Sequence, residues 1–218
     1  SDLLFLALTF LSHRTQLETL SWLFDSISGY FVIGILVVLQ PELRRLFYQI
    51  GQARWYRTLI QVQQVPVDEI AAACKQMSDA KCGALIAIVH KVGLRQYSEA
   101  GVQVGGRVSR ELLQALFYGK NPLHDGAAII EGQNLVAAAC YLPMSTSSEV
   151  KRSFGARHRA ALGLSEDSDA LVIVVSETNG KLSLAFLGEM KEGVDQARLR
   201  KILIALNQNN LAEEWRSL

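Results

Sequence analysis

The sequence predicts an α/β fold, a three-layer domain with a central mixed β-sheet flanked by helices, preceded by an N-terminal transmembrane helix. Segments with helical spacing of apolar residues alternate with short, continuous apolar runs, which are typical of buried strands. Two pairs of these runs are joined by short polar connectors, which predicts antiparallel hairpins in the same sheet. Residues 20–39 form a longer apolar stretch, about the length that a helix needs to cross a bilayer.

The N-terminal region is predicted to lie in the membrane over residues 1–40. The stretch 20–39 contains a single charged residue, Asp25, whereas the apolar run 3–11 is too short to span and is interpreted as the truncated end of an earlier, second span. Four arginines follow the longer stretch at Arg44, Arg45, Arg54 and Arg57. Because cytoplasmic flanks of membrane helices are rich in Lys and Arg, everything after residue 40 is expected in the cytoplasm.

The same stretch is also compatible with a buried core helix, in which Ser26, Ser28 and Gly29 would form a packing contact. The membrane interpretation is favoured because the apolar stretch is long and the residues that follow it are basic. A cleavable signal peptide is disfavoured, because the sequence has no basic n-region and no clear small-residue cleavage site.

Two further regions follow the membrane segment. Residues 41–65 are predicted to form a juxtamembrane helix or linker, since apolar residues recur there at helical spacing. These residues are Leu43, Leu46, Phe47 and Ile50. Pro66 ends this segment, and residues 66–210 form the predicted α/β domain.

Helices are predicted at several points of this domain. Residues 67–80 begin with an acidic first turn, which favours a helix N-terminus. Residues 108–118 have Ser109 as a candidate N-cap and Gly119 as a stop. Residues 195–208 close the domain as an amphipathic helix with apolar positions at Leu199, Ile202, Leu203 and Leu206.

The predicted strands are short and apolar. Residues 84–89 read as a single buried strand. Residues 127–130 and 135–142 are joined by the connector EGQN, and residues 170–176 and 182–187 pair across ETNGK. Strands that alternate with helices favour parallel pairing, whereas the two hairpins require antiparallel pairing. Together they predict a mixed sheet.

Composition excludes several classes of protein. Half of the 218 residues are hydrophobic, which excludes a disordered chain. Lys and Arg total 22 against 21 Asp and Glu, a net charge of +1, so no nucleic-acid partner is expected. Cys74, Cys82 and Cys140 are odd in number and lack metal-ligand spacing, which argues against a disulfide framework or a zinc site.

Two segments carry residues that packing does not explain. In NPLHDGA, His124 and Asp125 stand directly before a predicted strand, and Gly126 lets the backbone approach a ligand. A His and a carboxylate there can hold a divalent metal or orient a hydroxyl. On spacing alone, a plain Asp-Gly turn is the competing interpretation.

The second segment is SFGARHRAALGLSE. Arg157, His158 and Arg159 follow Gly155 where a helix or turn begins, so three potential cations meet free backbone N–H groups. This arrangement favours phosphate binding, because Arg forks match phosphate oxygens. The competing interpretation is a solvated basic turn paired with Glu166 and Asp167.

Together, PLHDGA and, about 28 residues later, GARHRAALGLSE closely resemble the diadenylate cyclase (DAC) domain family. GLRQYSEAG, VSRELL and AAACYLP resemble further stretches of that family in the same order. The N-terminal part, from LSWL to LQPELRR, resembles the last transmembrane helix of the membrane-bound (CdaA/DacA) type. The resemblance covers about residues 17–208, and it implies that two of the family's three membrane helices are missing or truncated here.

The resemblance implies the DAC fold and a nucleotidyltransferase that condenses two ATP into cyclic di-AMP with release of two pyrophosphates. It also implies a divalent metal, Mn²⁺ or Mg²⁺ with Co²⁺ as a third candidate. The expected partners are ATP, a second copy in a transient head-to-head homodimer, the bacterial cell membrane and a regulatory protein within it. The product has two-fold symmetry and one domain offers one nucleotide pocket, so two facing chains are expected.

The resemblance also implies roles for individual residues. Asp125 would help to activate the 3′-hydroxyl, and His124 with Asp125 would hold the metal. Gly126 would let the nucleotide sit against the backbone, and Tyr141 would lie beside adenine, where stacking is favourable. Arg157, His158 and Arg159 would hold the phosphates. The remaining ATP-binding residues implied by the match are Ala127, Gly155, Ala156 and Glu177.

This sequence departs from the family pattern at a few places. Ala156 stands where many relatives have Thr, Val89–Val92 replace a stretch with Arg and Thr, and ETNG replaces EETG. Two other functions stay open: a nucleotide-binding regulatory module without chemistry, which Ala156 favours, and a membrane scaffold that recruits partners. The scaffold leaves the cluster of Arg157 to Arg159 unexplained.

Overall fold

The computed structural model describes residues 64–119, 121–146 and 154–218. The predictions for the membrane region 1–40 and for the juxtamembrane helix therefore lie outside the described residues. Among the helices that are described, none combines the length and the apolar character that a membrane span requires. The described elements, in chain order, are α1 (Val67–Asp79), β1 (Ala84–Ile88), α2 (Arg95–Ser98), β2 (Val102–Arg107), α3 (Arg110–Phe117), β3 (Ala127–Glu131), β4 (Asn134–Cys140), α4 (Ala156–Asp167), β5 (Leu171–Val175), β6 (Leu182–Phe186), β7 (Glu189–Glu192), α5 (Gln196–Asn207) and α6 (Leu211–Ser217).

The sheet has seven strands in the order β2-β4-β3-β1-β5-β6-β7. The strand β1 pairs in parallel with β3 and antiparallel with β5. All other neighbouring strands pair antiparallel, including the two predicted hairpins β3–β4 and β5–β6. The predicted mixed sheet is thus confirmed.

Helices cover both faces of the sheet. One apolar cluster joins α1, α3, α5 and α6 to one face through residues such as Ile70, Leu113 and Ile202. The other cluster joins α2 and α4 to the opposite face through Leu94, Ala161 and Leu164. The central strands β1 and β5 are buried along their whole length, as their continuous apolar sequences predict. Each such buried aliphatic side chain contributes about 1.5–3 kcal/mol, so the three layers hold together mainly by apolar burial.

Predicted helix ends agree with the observed caps. The Ser109 hydroxyl accepts a hydrogen bond from the Leu112 N–H at 3.1 Å, which makes Ser109 the N-cap of α3. Gly119 follows this helix with a φ of +75°, a conformation that glycine adopts without strain. Four short elements were not predicted from the sequence: α2, β2, β7 and α6. The strand β2 is Gly-rich and largely exposed, and β7 is a four-residue polar edge strand, so neither shows an apolar pattern.

Candidate active site

The predicted site residues lie beside one edge of the sheet. Because β1 and β3 are parallel while β4 and β5 run against them, the starts of β1 and β3 meet the ends of β4 and β5. These four strands are neighbours in the order β4-β3-β1-β5, so their ends extend over about 14 Å at ordinary strand spacing. Tyr141, Asp125, Gly83 and Glu177 are the residues that adjoin those ends, in that order.

Gly126 lies where two backbones are in contact. Its φ is +119°, and a Cβ at this position would lie 2.8–3.0 Å from backbone atoms of Ala139 and Cys140. The pairing of β3 with β4 is irregular here, and Ala139 itself has a φ of +52°. Glycine is therefore required for close packing of the protein's own backbone, a reason that differs from the predicted approach of a ligand.

The loop before Gly126 is organised by Asn121. The Asn121 side-chain amide donates to the carbonyls of Ala115 and Leu116 at 2.9 Å each, and its oxygen accepts from the Leu123 N–H at 2.8 Å. The sequence identified Asn121 only as a turn signal, and this role in capping the end of α3 was missed. The Asn121 carbonyl also lies 2.5 Å from Nδ1 of His124.

This contact decides which ring nitrogen of His124 is available. If Nδ1 carries its hydrogen toward the Asn121 carbonyl, Nε2 retains the lone pair that a metal needs. Asp125 is exposed, and its carboxylate has no hydrogen-bond partner within the described residues. Both groups are therefore available to a ligand.

The donor set fits a cation that also binds a nucleotide. Within residues 64–119, 121–146 and 154–218, no group of three His, Cys, Asp or Glu residues is placed to hold a metal ion. Among these described residues, His124 and Asp125 are the pair that would offer two protein ligands. Mg²⁺ commonly uses one or two carboxylates together with substrate phosphates and water, so this pair suits such a shared ion.

Arg157 and Glu177 meet at the start of β1. The Arg157 guanidinium donates to the Glu177 carboxylate at 2.6 Å, and both lie against Gly83. A Cβ at Gly83 would lie 2.8 Å from Nη1 of Arg157 and 3.0 Å from Glu177. The sequence did not indicate this role of Gly83, although a glycine directly before a buried strand was the available signal. Because Gly83 has no side chain, the Arg157–Glu177 ion pair can pack directly against the start of β1.

The helix α4 presents the three predicted phosphate ligands in its first turn. Gly155 is the N-cap residue, Ala156 is exposed, and Arg159 is exposed. His158 is half-buried and stacks on Phe154 with ring centroids 5.2 Å apart. Burial lowers the pKa of His158 below its usual 6.5, while Glu192 acts in the opposite direction. The permanent positive charge at this helix start therefore comes from the two arginines.

The alternative of a solvated basic turn paired with Glu166 and Asp167 is wrong. The segment is a twelve-residue helix, and Arg157 pairs with Glu177. Glu166 instead accepts a hydrogen bond from the Ser145 hydroxyl at 2.6 Å.

Tyr141 follows the end of β4 directly and is 73% exposed. Its neighbour Cys140 pairs with Ala127 across the sheet, so Tyr141 and Asp125 flank the same pair of strand ends. A tyrosine ring that is largely exposed at a sheet edge offers an aromatic face for stacking. The geometry thus places a candidate base-binding residue beside the candidate metal ligands.

One departure from the family pattern lies away from this edge. His90 follows the end of β1, and its Nδ1 lies 3.2 Å from the carboxylate of Asp169, which precedes β5. Burial alone would raise the pKa of Asp169, but the contact with His90 and the hydrogen bond from the backbone N–H of Val92 outweigh it and lower that pKa. The stretch Val89–Val92 therefore belongs to the opposite edge of the sheet.

Comparison with known proteins identifies relatives of this chain. The family model described as "DisA bacterial checkpoint controller nucleotide-binding" (DAC) matches residues 71–190. Cyclic di-AMP synthase CdaA of Bacillus subtilis is 37% identical over 203 residues, which are 91% of this chain and 74% of that protein. The diadenylate cyclase of Listeria monocytogenes is 36% identical with the same coverage.

Solved structures resemble the chain as well. The crystal structure of a DacA double mutant from Staphylococcus aureus matches with a TM-score of 0.64 and 38% identity, over 65% of this chain and 94% of that one. A hypothetical membrane spanning protein from Bacillus cereus matches with a TM-score of 0.59 and 27% identity, over 89% of this chain and 100% of that one.

Proposed function

The chain belongs to the DAC family and is a diadenylate cyclase, and we propose how individual residues contribute to its reaction. The enzyme condenses two ATP into cyclic di-AMP with release of two pyrophosphates. In each half of the reaction, a 3′-hydroxyl of one ATP attacks the α-phosphate of the other, and pyrophosphate leaves. Such a reaction depends on positioning and on neutralising phosphate charge more than on covalent catalysis.

Asp125 is the residue that we assign to the attacking hydroxyl. Its carboxylate is exposed and without a partner in the described part of the chain, so it is free to accept a hydrogen bond from the 3′-hydroxyl. His124 and Asp125 would hold a divalent cation, Mn²⁺ or Mg²⁺, with Co²⁺ as a third candidate. That ion supplies charge neutralisation at the phosphates when it is bound.

Arg157, His158 and Arg159 are assigned to the triphosphate. The two arginines supply charge at the start of α4, where free backbone N–H groups also favour an anion. Glu177 holds the Arg157 guanidinium against Gly83 and so sets its position. Ala156 contributes no hydroxyl, so any hydrogen bond at this position must come from its backbone N–H.

Tyr141 is assigned to adenine. It lies at the β4 end of the edge, whereas the Arg157–Glu177 pair lies at the β5 end. An extended nucleotide laid along this edge would reach from an aromatic face to a cationic helix start. This single arrangement, with Asp125 between its two ends, is the observation that carries the proposal.

Product analysis tests the activity. The protein is incubated with ATP and Mn²⁺, and the products are identified by mass spectrometry. We expect cyclic di-AMP and two equivalents of pyrophosphate for each product molecule. Binding of ATP without cyclic di-AMP would instead support the nucleotide-binding module, and absence of ATP-induced stabilisation would support the scaffold.

We further propose that catalysis requires two chains that face each other. One domain holds one nucleotide, so its 3′-hydroxyl has no second α-phosphate to attack unless a second copy supplies it. The interface between the two chains must open to admit ATP and to release product, so this interface should be small and transient.

Specific activity is therefore expected to fall on dilution for a variant that lacks residues 1–64. The measurement is cyclic di-AMP formed per chain against enzyme concentration, with the dimerisation constant determined in parallel. A specific activity that stays constant well below that constant would refute the two-chain mechanism. A mixture of wild-type and Asp125→Asn chains is a second test, because each mixed dimer carries one defective pocket and the added variant should lower the activity of the wild-type chains. Wild-type activity that does not change when an excess of the variant is added would contradict the proposal.

The membrane location remains part of the proposal. Residues 17–39 are expected to be embedded in the bacterial cell membrane, since the apolar stretch is long and arginines follow it. A reporter fused after Gly51 should then be active only if it is of the cytosolic type. A periplasmic reporter that is active at the same position would overturn this orientation. The matched control is the same pair of reporters fused before residue 20.

A further inference from the structure

The strap, defined as residues 141–146, connects the two ends of the proposed nucleotide site. It leaves β4 at Tyr141 and runs across α4, the helix that begins with Arg157 to Arg159. The backbone of the strap touches the helix at Gly163, where a Cβ would lie 2.2 Å from the Pro143 carbonyl and 2.7 Å from the Ser145 nitrogen. Only glycine permits this approach, so strap and helix are packed backbone to backbone.

Ser145 holds the strap on the helix through hydrogen bonds to Arg159 and Glu166. Its N–H donates to the carbonyl of Arg159 at 3.0 Å, and its hydroxyl donates to Oε1 of Glu166 at 2.6 Å. Ser145 is 9% exposed, whereas Glu166 lies on the exposed side of α4, so the bond joins a buried hydroxyl to a carboxylate at the surface. A hydroxyl that donates to a carboxylate forms a charge-assisted hydrogen bond, and the distance of 2.6 Å is in the range usual for such bonds.

The positions of these bonds relate the strap to the site. Arg159, whose carbonyl accepts the first bond, is the last of the three proposed phosphate ligands, and Tyr141 at the other end of the strap is the proposed adenine residue. Three residues separate Tyr141 from Ser145, which is too short a connection to absorb a large displacement. The packing at Gly163 and the hydrogen bonds of Ser145 together limit how far the tyrosine ring can move relative to the cationic helix start, and the Ser145–Glu166 bond is the part of this restraint that a side-chain substitution removes.

We propose that Ser145 and Glu166 are positioning residues that set the separation between the adenine end and the phosphate end of the site. This inference rests on the proposed function, because it requires Tyr141 to bind adenine. Neither residue needs to touch the nucleotide. Loss of the Ser145–Glu166 bond lets the Tyr141 ring move more, and this weakens binding of the ground state and of the transition state alike. We therefore expect KM for ATP to rise while kcat stays nearly unchanged.

The experiment compares a ligand that uses both ends of the site with one that uses a single end. Steady-state kinetics give KM and kcat for ATP, and inorganic tripolyphosphate is titrated as a competitive inhibitor. We expect Ser145→Ala and Glu166→Ala each to raise KM by about tenfold, with less than about a twofold change in the inhibition constant of tripolyphosphate. The double variant should resemble either single variant, because both remove the same bond.

Two controls separate positioning from general damage. Ser145→Thr keeps the hydroxyl and is expected to restore KM. Asp167→Asn removes one carboxylate from the same exposed end of α4 and is expected to change neither constant. Thermal melting shows that each variant is folded, and Glu166→Ala serves as the test if Ser145→Ala does not fold.

The outcomes distinguish this inference from the proposed function. If the wild-type protein binds ATP no more tightly than tripolyphosphate, the assignment of adenine to Tyr141 fails, and the inference fails with it. If the wild type prefers ATP but the variants keep that preference, the positioning role alone is refuted. An equal loss of affinity for both ligands would also refute it, since the damage would then lie at the phosphate end.

Discussion

Asp125→Asn is expected to abolish synthesis of cyclic di-AMP while the protein remains folded. Asparagine has the same shape but carries no negative charge, so it cannot act as a base for the 3′-hydroxyl or bind a cation strongly. General base contributions are about 10²–10⁴-fold, and loss of the metal adds to this, so activity should fall by at least about 100-fold.

The structure explains why folding should survive this substitution. Asp125 is exposed, and its carboxylate makes no hydrogen bond within the described residues, so no native contact is lost. The measurement is product formation by mass spectrometry together with thermal melting. Asp167→Asn is the matched control, because Asp167 is also an exposed aspartate but lies at the far end of α4. Unchanged synthesis in a normally folded Asp125→Asn protein would refute the assignment.

Arg157→Ala is expected to weaken ATP binding strongly, and Arg159→Ala to weaken it as well. Each substitution removes a charge-assisted contact to phosphate, which contributes about 1.5–3 kcal/mol, or roughly 10- to 150-fold in affinity. For Arg157 the loss has a second cause. Glu177 would remain without its cation, and its negative charge would then oppose the triphosphate.

The effect of the unpaired Glu177 charge can be tested separately. Arg157→Ala with Glu177→Gln should bind ATP more tightly than Arg157→Ala alone, because the uncompensated charge is gone. Glu177 is 68% exposed, so its loss of a partner should cost little stability. Calorimetry measures the affinities, and Arg198→Ala, an exposed arginine on α5, is the control. Equal ATP affinity in the wild type and in both arginine variants would show that the phosphate site is wrongly placed.

Local patterns were sufficient for most of the fold. Continuous apolar runs predicted β1, β3, β5 and β6, because a strand buried on both faces needs apolar side chains at every position. Helical spacing and caps predicted α1, α3 and α5 to within a few residues. The sequence could not predict β2 or β7, because an exposed edge strand has no apolar periodicity to show.

Only part of the candidate site was predictable from the sequence. The segments around Asp125 and Arg157 stood out because each concentrates polar groups beside a glycine within a few residues. Their resemblance to a family then implied the reaction. The partner of Arg157 was not predictable, since Glu177 lies 20 residues away and the alternative partner Glu166 is nearer in sequence.

What the sequence determined by itself was therefore the buried strands and the longer helices, the two segments that carry the chemistry, and the family. The tertiary structure alone decided that the strand order β4-β3-β1-β5 brings Asp125, before β3, and Glu177, after β5, to the same edge of the sheet. It also decided that Gly126 and Gly163 are contact points between backbones, and that Gly83 packs against the side chains of an ion pair. It also decided that Ser145 is bonded to Glu166. The physical reason is that periodicity and capping act over a few neighbouring residues, whereas strand order and these contacts depend on how separate layers pack against each other.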